Sequence, residues 1–236
     1  MKTKTYPRIL LKLSGESLGS GGVDYKCLQK VAQQIAEVNR KGIAIAIVIG
    51  GGNVWRFRDN QKLTSLPRVN SDYLGMLATV FNGVVLTAAL RDLKINAEVF
   101  SAVKSPSEIT QPYSITHARK VLAKGGVVVL SGGTGKPFVT TDTAAAMRAV
   151  EMRCERILKA TNVDGVYDAD PRKNKKAKLL KQLTYKETIA KKYGVMDLKA
   201  FEILAKQKIP LAVFNFGKAG LLLRAASGED IGTLIR

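Results

Sequence analysis

The sequence predicts a three-layer α/β/α sandwich with a mainly parallel central sheet. Short β-branched runs alternate along the chain with amphipathic segments of helical period, which is the pattern of βαβ units. The run 43–49 (IAIAIVI) is apolar without alternation, so its strand should be covered on both faces. Glycines follow three of the predicted strands, at the sheet edge where open α/β sheets bind ligands.

Six segments qualify as strands because they are short, rich in β-branched or aliphatic residues and bounded by turn residues. They are 8–13, 43–49, 97–101, 127–130, 156–160 and 211–214. The segments between them repeat apolar residues at helical spacing. Helices are therefore predicted at 25–40, 71–93, 114–123, 141–153, 185–191, 198–207 and 219–226.

Composition indicates one folded domain over residues 1–236, because 46% of the chain is apolar and no linker or repeat divides it. The domain is interpreted as having two functional lobes. Cys27 and Cys154 are too few for a disulfide framework, which favours a reducing compartment and a cytoplasmic location.

Two apolar segments must be distinguished from export and membrane signals. Lys12 interrupts the first apolar stretch too early for a signal peptide, so export is not expected. The weakly polar run 74–90 falls short of the roughly 20 residues that span a bilayer. We interpret it as a buried helix, available for packing against another subunit, and expect no membrane partner.

The net charge of +19 makes nucleic acid a partner to consider, since clustered lysine and arginine bind phosphates. The densest basic segment, 171–194, has no interleaved aromatic residues and no nucleic-acid-binding signature. A solvated basic face is therefore favoured over a nucleic-acid surface. The basic residues of this segment are Arg172, Lys173, Lys175, Lys176, Lys178, Lys181, Lys186, Lys191 and Lys192.

The first chemical motif is KLSGE, residues 12–16. In a strand buried on both faces, the Lys12 ammonium needs an anion, which could be a protein carboxylate or a ligand phosphate. Ser14 and Gly15 follow directly and supply backbone N–H groups, which favours the phosphate.

The second motif is Gly50-Gly51-Gly52-Asn53 at the end of a strand, with Arg56 close behind. Consecutive glycines let the backbone approach a ligand, and a guanidinium can hold phosphate oxygens in a bidentate fork. The spacing fails the GxGxxG fingerprint, so a nicotinamide cofactor is not supported.

The third motif, SGGTGKP at 131–137, fails the P-loop pattern because Pro137 occupies the position of the required Ser or Thr. It leads through Phe138 to Thr140, Thr141 and Asp142 at a predicted helix start, a helix cap with room for an anionic or polar ligand.

The fourth motif, TNVDGVYDADP at 161–171, combines turn chemistry with a tyrosine and aspartates suited to an aromatic ring and a ribose. The single histidine, His117, has no cysteine or second histidine nearby and is predicted to sit at an exposed helix start. Metal or covalent catalysis by the protein itself is not supported.

Together, KLSGE, IGGGN, DYLGMLATVFNG, SGGTGKPFVTTDTAA, LKATNVDGVYDADP and VMDLKAF resemble the bacterial uridylate kinases of the amino acid kinase superfamily. The match runs over nearly the whole chain, and DYLGMLATVFNG with GTGKPFVTTDTAA is characteristic of the uridylate branch. The resemblance implies the amino acid kinase-like fold and reversible phosphoryl transfer from Mg²⁺-ATP to UMP in pyrimidine nucleotide biosynthesis. It also implies a homohexamer built from dimers. Within the single domain, it implies that the N-terminal part mainly binds UMP and forms subunit contacts and that the part at about 155–236 mainly binds ATP.

The resemblance also assigns site residues. Lys12, Arg56 and Asp142 are implied to be catalytic. The implied ATP-binding residues are Lys12, Leu13, Ser14, Gly15, Gly52, Arg56, Thr161, Asn162, Tyr167 and Asp170. The implied UMP-binding residues are Gly51, Asp72, Thr134, Gly135, Lys136, Pro137, Phe138, Val139, Thr140 and Thr141. Mg²⁺ is expected mainly on the nucleotide phosphates; Asp142 and Asp197 could organise it or its waters, or could hold Lys12.

Three departures from the family pattern accompany the resemblance. The loop 19–24 is shorter than in many relatives, where it contributes to activation by GTP, so that activation is doubtful here. Phe57-Arg58 replaces a glycine after Arg56, and Phe81 stands where relatives commonly carry Met. The alternatives are an amino-acid or carbamate kinase of the same fold and a basic nucleic-acid-binding protein.

Overall fold

The computed structural model describes residues 8–60, 62, 65–171 and 173–236, and of Arg58 the backbone alone. The expectation for the first residues as a non-signal segment therefore lies largely outside the described part, as does Arg172 of the basic segment.

A nine-stranded sheet forms the centre of the molecule, and every pairing in it is parallel except β10 with β11. The strands in chain order are β1 (Arg8–Leu13), β2 (Ala44–Ile49), β3 (Ala97–Ser101), β4 (Gln111–Pro112), β5 (Val127–Ser131), β6 (Arg156–Thr161), β7 (Val166–Tyr167), β8 (Leu179–Leu180), β9 (Gln182–Leu183), β10 (Leu211–Asn215) and β11 (Thr233–Ile235). The order across the sheet is β4-β3-β5-β2-β1-β6-β10-β11-β9, and β7 and β8 form a separate antiparallel pair. The three-layer parallel architecture is confirmed.

Seven α-helices cover the sheet within the described residues. They are α1 (Tyr25–Arg40), α2 (Arg68–Asp92), α3 (Ile115–Ala123), α4 (Thr141–Met152), α5 (Tyr185–Ala190), α6 (Leu198–Gln207) and α7 (Leu221–Ala226). Asp24, Ser114, Thr140, Thr184 and Asp197 each accept a backbone N–H at the helix start that they cap. All seven predicted helices are present.

Some predicted boundaries were wrong, for local reasons. The segment 219–226 starts its helix at Leu221, because Gly220 has φ +76° and cannot be a helical residue. Arg153 ends α4 in the left-handed conformation, so it is not part of that helix. The short strands β4, β9 and β11, of which β4 and β9 lie at the sheet edges, were missed because they have only two or three residues each.

The hydrophobic core lies in two layers, one on each side of the sheet. In β1, Ile9, Leu11 and Leu13 face the layer that contains α1, α2 and α7, whereas Leu10 faces the layer that contains α3, α4 and α6. Because side chains alternate along a strand, Lys12 projects to the same side as Leu10, towards α4. All of β2 is buried, as predicted from its apolar run.

Helix α2 begins at Arg68 rather than at residue 71 and has 25 residues. By length and composition alone it could cross a membrane, but half of its most apolar window is buried within the fold. Met76, Val80 and Leu86 are among its buried side chains, so it serves as a core helix here.

Candidate active site

A cluster of three charged side chains lies where β1, β6 and α4 meet. Lys12 and Lys159 occupy the same register on the adjacent parallel strands β1 and β6. Lys12 Nζ lies 2.9 Å from Asp142 Oδ1, and Lys159 Nζ lies 2.8 Å from Asp142 Oδ2. The side chains of the two lysines are 13% and 12% exposed, so one carboxylate holds two largely buried cations.

The charged form of Lys159 is disfavoured in this cluster. Burial, followed by the neighbouring charge of Lys12, lowers the pKa of Lys159 from its ordinary value of 10.5, although Asp142 and Asp197 oppose the shift. Lys159 also donates to the carbonyl of Val195. The site therefore favours a negatively charged ligand, which would relieve the repulsion between the two ammonium groups.

Asp197 fixes the start of α4 beside this cluster. Its carboxylate accepts the hydroxyl of Thr140 and, at 2.8 Å, the hydroxyl of Thr143, while it also caps α6 through Ala200 N. Burial raises the pKa of Asp197, but the hydrogen bonds from Thr140, Ala200 and Thr143 outweigh it and hold the pKa below its ordinary value. Asp197 is thus anchored to the starts of α4 and α6, and its predicted roles towards Lys12 and Mg²⁺ stay predictions.

One predicted role of Asp142 is to hold Lys12, and its carboxylate contacts both Lys12 and Lys159. Each of its oxygens faces an ammonium group, and both oxygens of Asp197 accept hydroxyl groups. Among the described residues no group of three or more His, Cys, Asp or Glu side chains could hold a metal ion. Both carboxylates are therefore engaged with protein groups.

A cavity of about 630 Å³ opens at the carboxyl ends of β1, β2 and β5. Most of the residues predicted to bind the ATP phosphates or UMP line this cavity. Several residues that the sequence analysis did not identify line it as well. The predicted residues that line it are Lys12, Ser14, Gly15, Gly51, Gly52, Arg56, Asp72, Lys136, Val139, Thr140 and Thr141. The added ones include Trp55, Arg68, Ser71, Met76, Thr79 and Gly133. Its size suits a small phosphorylated ligand.

Some predicted residues do not line this cavity. Leu13 is fully buried, and its carbonyl accepts the N–H of Gly50, so its side chain faces the core. Phe138 is 67% exposed and enters the site through its backbone N–H alone. Thr134, Gly135 and Pro137 belong to the same loop but lie outside the cavity lining, and Gly135 packs against the Ala102 carbonyl.

The loops that follow β1 and β2 need glycine at Gly15 and Gly51, because other parts of the chain approach these positions closely. A Cβ on Gly51 would lie 2.7 Å from Ala78 Cβ and from the Gly75 carbonyl on α2. A Cβ on Gly15 would lie 2.3 Å from Asn53 Oδ1 and 2.9 Å from Gly52 N. The two loops are therefore pressed together against α2, with their backbones facing the cavity.

Arg56 is held over the glycine loop. Its guanidinium pairs with Glu16 and lies so close to Gly52 that a Cβ there would be 2.5 Å from Arg56 Nε. The following residues form a short 3-10 helix, Phe57–Asp59, and Arg68 stacks 4.3 Å above the Phe57 ring. The Phe57 departure from the family pattern thus gives α2 a contact with this loop.

Helix α2 also positions the third loop, residues 131–138 after β5. Asp72 Oδ2 accepts the N–H of Phe138 at 2.8 Å, and Asp72 Oδ1 pairs with Arg68 at 2.8 Å. Thr79 Oγ1 accepts the N–H of Gly132 at 2.7 Å. Asp72 thus lies at the cavity wall with lone pairs left for a ligand hydroxyl.

A buried arginine supports the same loop from behind. Arg148 donates to the carbonyl of Gly133 at 2.9 Å and to Glu151 Oε2 at 2.6 Å, and its guanidinium lies 3.7 Å from the centroid of the Tyr113 ring. Tyr113 donates its hydroxyl to Glu151, and burial raises the tyrosine's pKa. Gly133 is thereby fixed at φ +58°, a conformation that favours glycine.

A second cavity of about 520 Å³ lies on the other side of the lysine pair. Lys159 is part of its wall, and so are the predicted residues Thr161, Asn162, Tyr167 and Asp170. Tyr193, Gly194 and Val195 close it from the segment before α6. The predicted ATP residues are therefore divided: phosphate-binding candidates line the first cavity, and candidates for the base and ribose line the second.

The basic segment flanks this second cavity. Lys173, Lys175, Lys176 and Lys178 are exposed, as expected of a solvated basic face. His117 lies at the start of α3 with a half-exposed side chain, 3.3 Å from Glu98, as predicted.

Lys159, Thr79, Asn82 and Arg148 were missed by sequence reasoning. A signal was available for Lys159, since it interrupts the apolar strand 156–161 (RILKAT) just as Lys12 interrupts 8–13 (RILLKL). The other three lie inside helices among apolar residues, where no local pattern marks a polar side chain that reaches a distant loop.

Comparison with known proteins identifies the protein family. The model of the amino acid kinase family matches residues 7–215, and the chain belongs to that family. Within it, the similarity is to uridylate kinases. The chain is 45% identical to the uridylate kinase of Escherichia coli O1:K1 / APEC over 233 residues, covering 98% of this chain and 96% of that protein.

Other relatives agree. The chloroplastic uridylate kinase PUMPKIN of Arabidopsis thaliana is 45% identical over 231 residues, which cover 97% of this chain and 68% of that protein. The crystal structure of UMP kinase from Bacillus anthracis superposes with a TM-score of 0.92 at 35% identity, covering 99% of this chain and 97% of the other. That of UMP kinase from Ureaplasma parvum superposes with a TM-score of 0.91 at 33% identity, covering 98% and 99%.

Proposed function

We propose that this protein is a UMP kinase that transfers the γ-phosphoryl group of Mg²⁺-ATP to UMP, giving UDP and ADP. The observation that carries the proposal is the position of the lysine pair. Lys12 lines the first cavity and Lys159 lines the second, so the two cations stand where a phosphoryl group would pass between two bound nucleotides.

The first cavity suits the acceptor nucleotide. Asp72 would accept a ribose hydroxyl, and the glycine loop with Thr140 and Thr141 would surround the uracil and phosphate. Four residues of the same loop do not line the cavity, and we propose that they contact UMP when the loop closes on it. They are Thr134, Gly135, Pro137 and Phe138. A carboxylate or carbamate acceptor would leave Asp72 without a hydroxyl donor, which weighs against an amino-acid or carbamate kinase.

The second cavity suits the donor nucleotide. Tyr167 offers a ring for the adenine, Asn162 and Asp170 offer polar groups for base and ribose, and Thr161 lies beside them at the end of β6. The triphosphate would then extend towards Lys159, Lys12, Gly15, Gly52 and Arg56, and Leu13 could contribute through its backbone.

The transfer step needs no general base. An oxygen of the UMP phosphate is already ionised at neutral pH, so it attacks the γ-phosphorus directly while the bond to the β–γ bridging oxygen breaks and ADP leaves. Negative charge spreads over the γ-phosphoryl oxygens in the transition state, where Lys12, Lys159 and Arg56 stabilise it. Asp142 holds the two ammonium groups in place, and Mg²⁺ enters as part of the substrate.

We also propose a homohexamer built from dimers. The outer face of α2 carries Tyr73, Leu77 and Phe81, which are 42%, 48% and 51% exposed, at helical spacing. Such a continuous apolar stripe on a helix suits a second copy of the same helix. The two cysteines are free, which supports a cytoplasmic location, and the reaction would serve pyrimidine nucleotide biosynthesis.

The test is ADP formation from Mg²⁺-ATP by the purified protein with UMP, CMP, dUMP, N-acetylglutamate, aspartate and carbamate offered separately. Turnover that depends on UMP is expected. Turnover with an amino acid or carbamate alone would refute the assignment of the acceptor cavity. A third outcome, no turnover with any acceptor, would refute the kinase proposal as a whole.

A further inference from the structure

Two buried asparagines join α2 to the loop that follows β2. Asn82 Nδ2 donates to Asn53 Oδ1 at 2.7 Å, and Asn53 Nδ2 donates to Asn82 Oδ1 at 3.1 Å. Asn82 is fully buried and Asn53 is 6% exposed. Buried amides are costly unless they are paired, so a closed amide pair in an otherwise apolar layer calls for an explanation.

The remaining N–H groups of the pair reach two loops. Asn82 Nδ2 donates to the carbonyl of Gly50 at 2.8 Å, and Asn53 Nδ2 donates to the carbonyl of Gly22 at 2.7 Å. All four N–H bonds of the two amides are therefore satisfied. The pair connects α2, the glycine loop 50–52 and the loop 19–24 at one point.

The Gly50 carbonyl matters because of the peptide groups that follow it. Within the described part of the chain, the N–H groups of Gly51 and Gly52 have no hydrogen-bond acceptor, and both glycines line the first cavity. Gly50 itself donates to Leu13 at 3.0 Å, so its N–H and C=O are fixed by β1 and α2 respectively. The direction of the next N–H groups is set by these two contacts.

Asn53 also defines the spacing between the first two loops. Its Oδ1 lies where a Cβ on Gly15 would fall, at 2.3 Å, so the KLSG backbone packs directly on this amide. Displacement of the pair would move the backbone on both sides of the phosphate site.

We propose that Asn82 is a positioning residue for phosphoryl transfer. Through Asn53 and the Gly50 carbonyl, it fixes the backbone N–H groups of the glycine loop in the direction that the transferring phosphate requires. Asn82 is fully buried and lines neither cavity, and the inference rests on the proposed kinase function. Misplacement of reacting groups by about 1 Å can lower a rate by roughly a hundredfold.

The experiment compares Asn82→Ala and Asn53→Ala with a matched control, Thr87→Val. Thr87 lies on the same helix, is 1% exposed, and its hydroxyl has no hydrogen-bond partner among the residues described. Valine has nearly the shape of threonine, so this control changes a buried polar atom on α2 without changing the loops. For each protein, kcat, the two KM values, the stoichiometry of ATP binding by calorimetry and Tm are measured.

We expect Asn82→Ala and Asn53→Ala each to lower kcat by about 10- to 100-fold. The stoichiometry of ATP binding should be unchanged, and Thr87→Val should retain the wild-type kcat. Because the two amides act as one unit, the double variant should lose less than the product of the single losses.

Two results would overturn the proposal. One is a wild-type kcat in both asparagine variants. The other is a fall in kcat that merely tracks a fall in the fraction of protein that binds ATP, which would show a purely structural role. Wild-type turnover with UMP is established first, so a failed kinase proposal is recognised separately from a failed positioning role.

Discussion

Lys12 and Lys159 face the same side of the sheet from the same register of two adjacent strands, and they share the carboxylate of Asp142. Burial and the neighbouring ammonium group of Lys12 disfavour the charged form of Lys159, whereas Asp142 and Asp197 favour it. A transferring phosphoryl group would bring further negative charge to this largely buried place and favour both charged lysines.

Replacement of Lys12 tests this cluster. Lys12→Ala should lower kcat by at least about a hundredfold, because removal of one preorganised charged donor typically has that effect. Steady-state kinetics with saturating ATP and UMP measures it. Lys120→Ala, an exposed lysine on α3, is the control and should keep wild-type turnover. Near-normal turnover of Lys12→Ala would contradict its assignment.

The lowered pKa of Lys159 predicts an alkaline limb in the pH profile. In the free protein the pKa of this lysine lies below its ordinary value of 10.5, so the lysine loses its proton at a lower pH than a free lysine does. The value of kcat/KM for ATP should therefore fall as the pH rises towards 10.5. Bound phosphates favour the charged form, so the limb of kcat should lie at higher pH than that of kcat/KM. Lys159→Arg should remove both limbs, since arginine stays charged. Identical profiles for wild type and Lys159→Arg would refute the role.

The same shift predicts a change in stability with pH. Between the lowered pKa of Lys159 and 10.5, the unfolded chain binds more protons at this side chain than the folded protein does. The free energy of unfolding of the wild type should therefore rise with pH in this window relative to that of Lys159→Met. Urea denaturation at several pH values measures the difference, and a falling difference would contradict the shift.

Asp72 is predicted to discriminate between the two substrates. Asp72→Asn keeps an oxygen that can accept the Phe138 N–H but loses the negative charge that pairs with Arg68 and that would strengthen the proposed hydrogen bond from a ribose hydroxyl. KM for UMP should rise by about tenfold, with KM for ATP little changed. Arg68→Gln separates the two effects, because it removes the ion pair and keeps the carboxylate. An unaltered KM for UMP in Asp72→Asn would count against the acceptor site.

Arg148 should affect the third loop through Gly133. Arg148→Met leaves the Gly133 carbonyl without its donor and Glu151 without its charged partner, with only the Tyr113 hydroxyl still donating to it, which should lower the free energy of unfolding by about 3 kcal/mol. KM for UMP should rise as well. The double variant Arg148→Met/Glu151→Leu should regain stability but keep the raised KM. If stability and KM recover together, Arg148 acts on the fold rather than on the loop.

The exposed stripe of α2 predicts the oligomeric state. Leu77→Glu places a charge in the middle of the stripe, and light scattering after size-exclusion chromatography should show smaller assemblies than for the wild type. Lys120→Glu, which places a glutamate at an exposed position of α3 and changes the charge by two units rather than one, should leave the assembly unchanged. An unchanged assembly in Leu77→Glu would mean that α2 does not form the contact.

Most of the fold followed from the sequence because its central strands are largely buried and apolar and five of its seven described helices carry side-chain caps. Lys12 and the glycine loops were also predictable, since a buried lysine and consecutive glycines both need a local reason. The supports behind the site were not. Thr79, Asn82 and Arg148 act over long sequence separations, and only the folded chain shows that their polar atoms reach Gly132, Gly50 and Gly133.

Phosphoryl transfer itself is tested most directly by following the phosphorus atom. The purified protein is incubated with Mg²⁺-ATP labelled in the γ-phosphoryl group and with UMP, and the products are separated. The account predicts label in the β-phosphoryl group of UDP, in an amount equal to the ADP formed. Label released as inorganic phosphate, or retained in ATP while UMP is unchanged, would contradict the account.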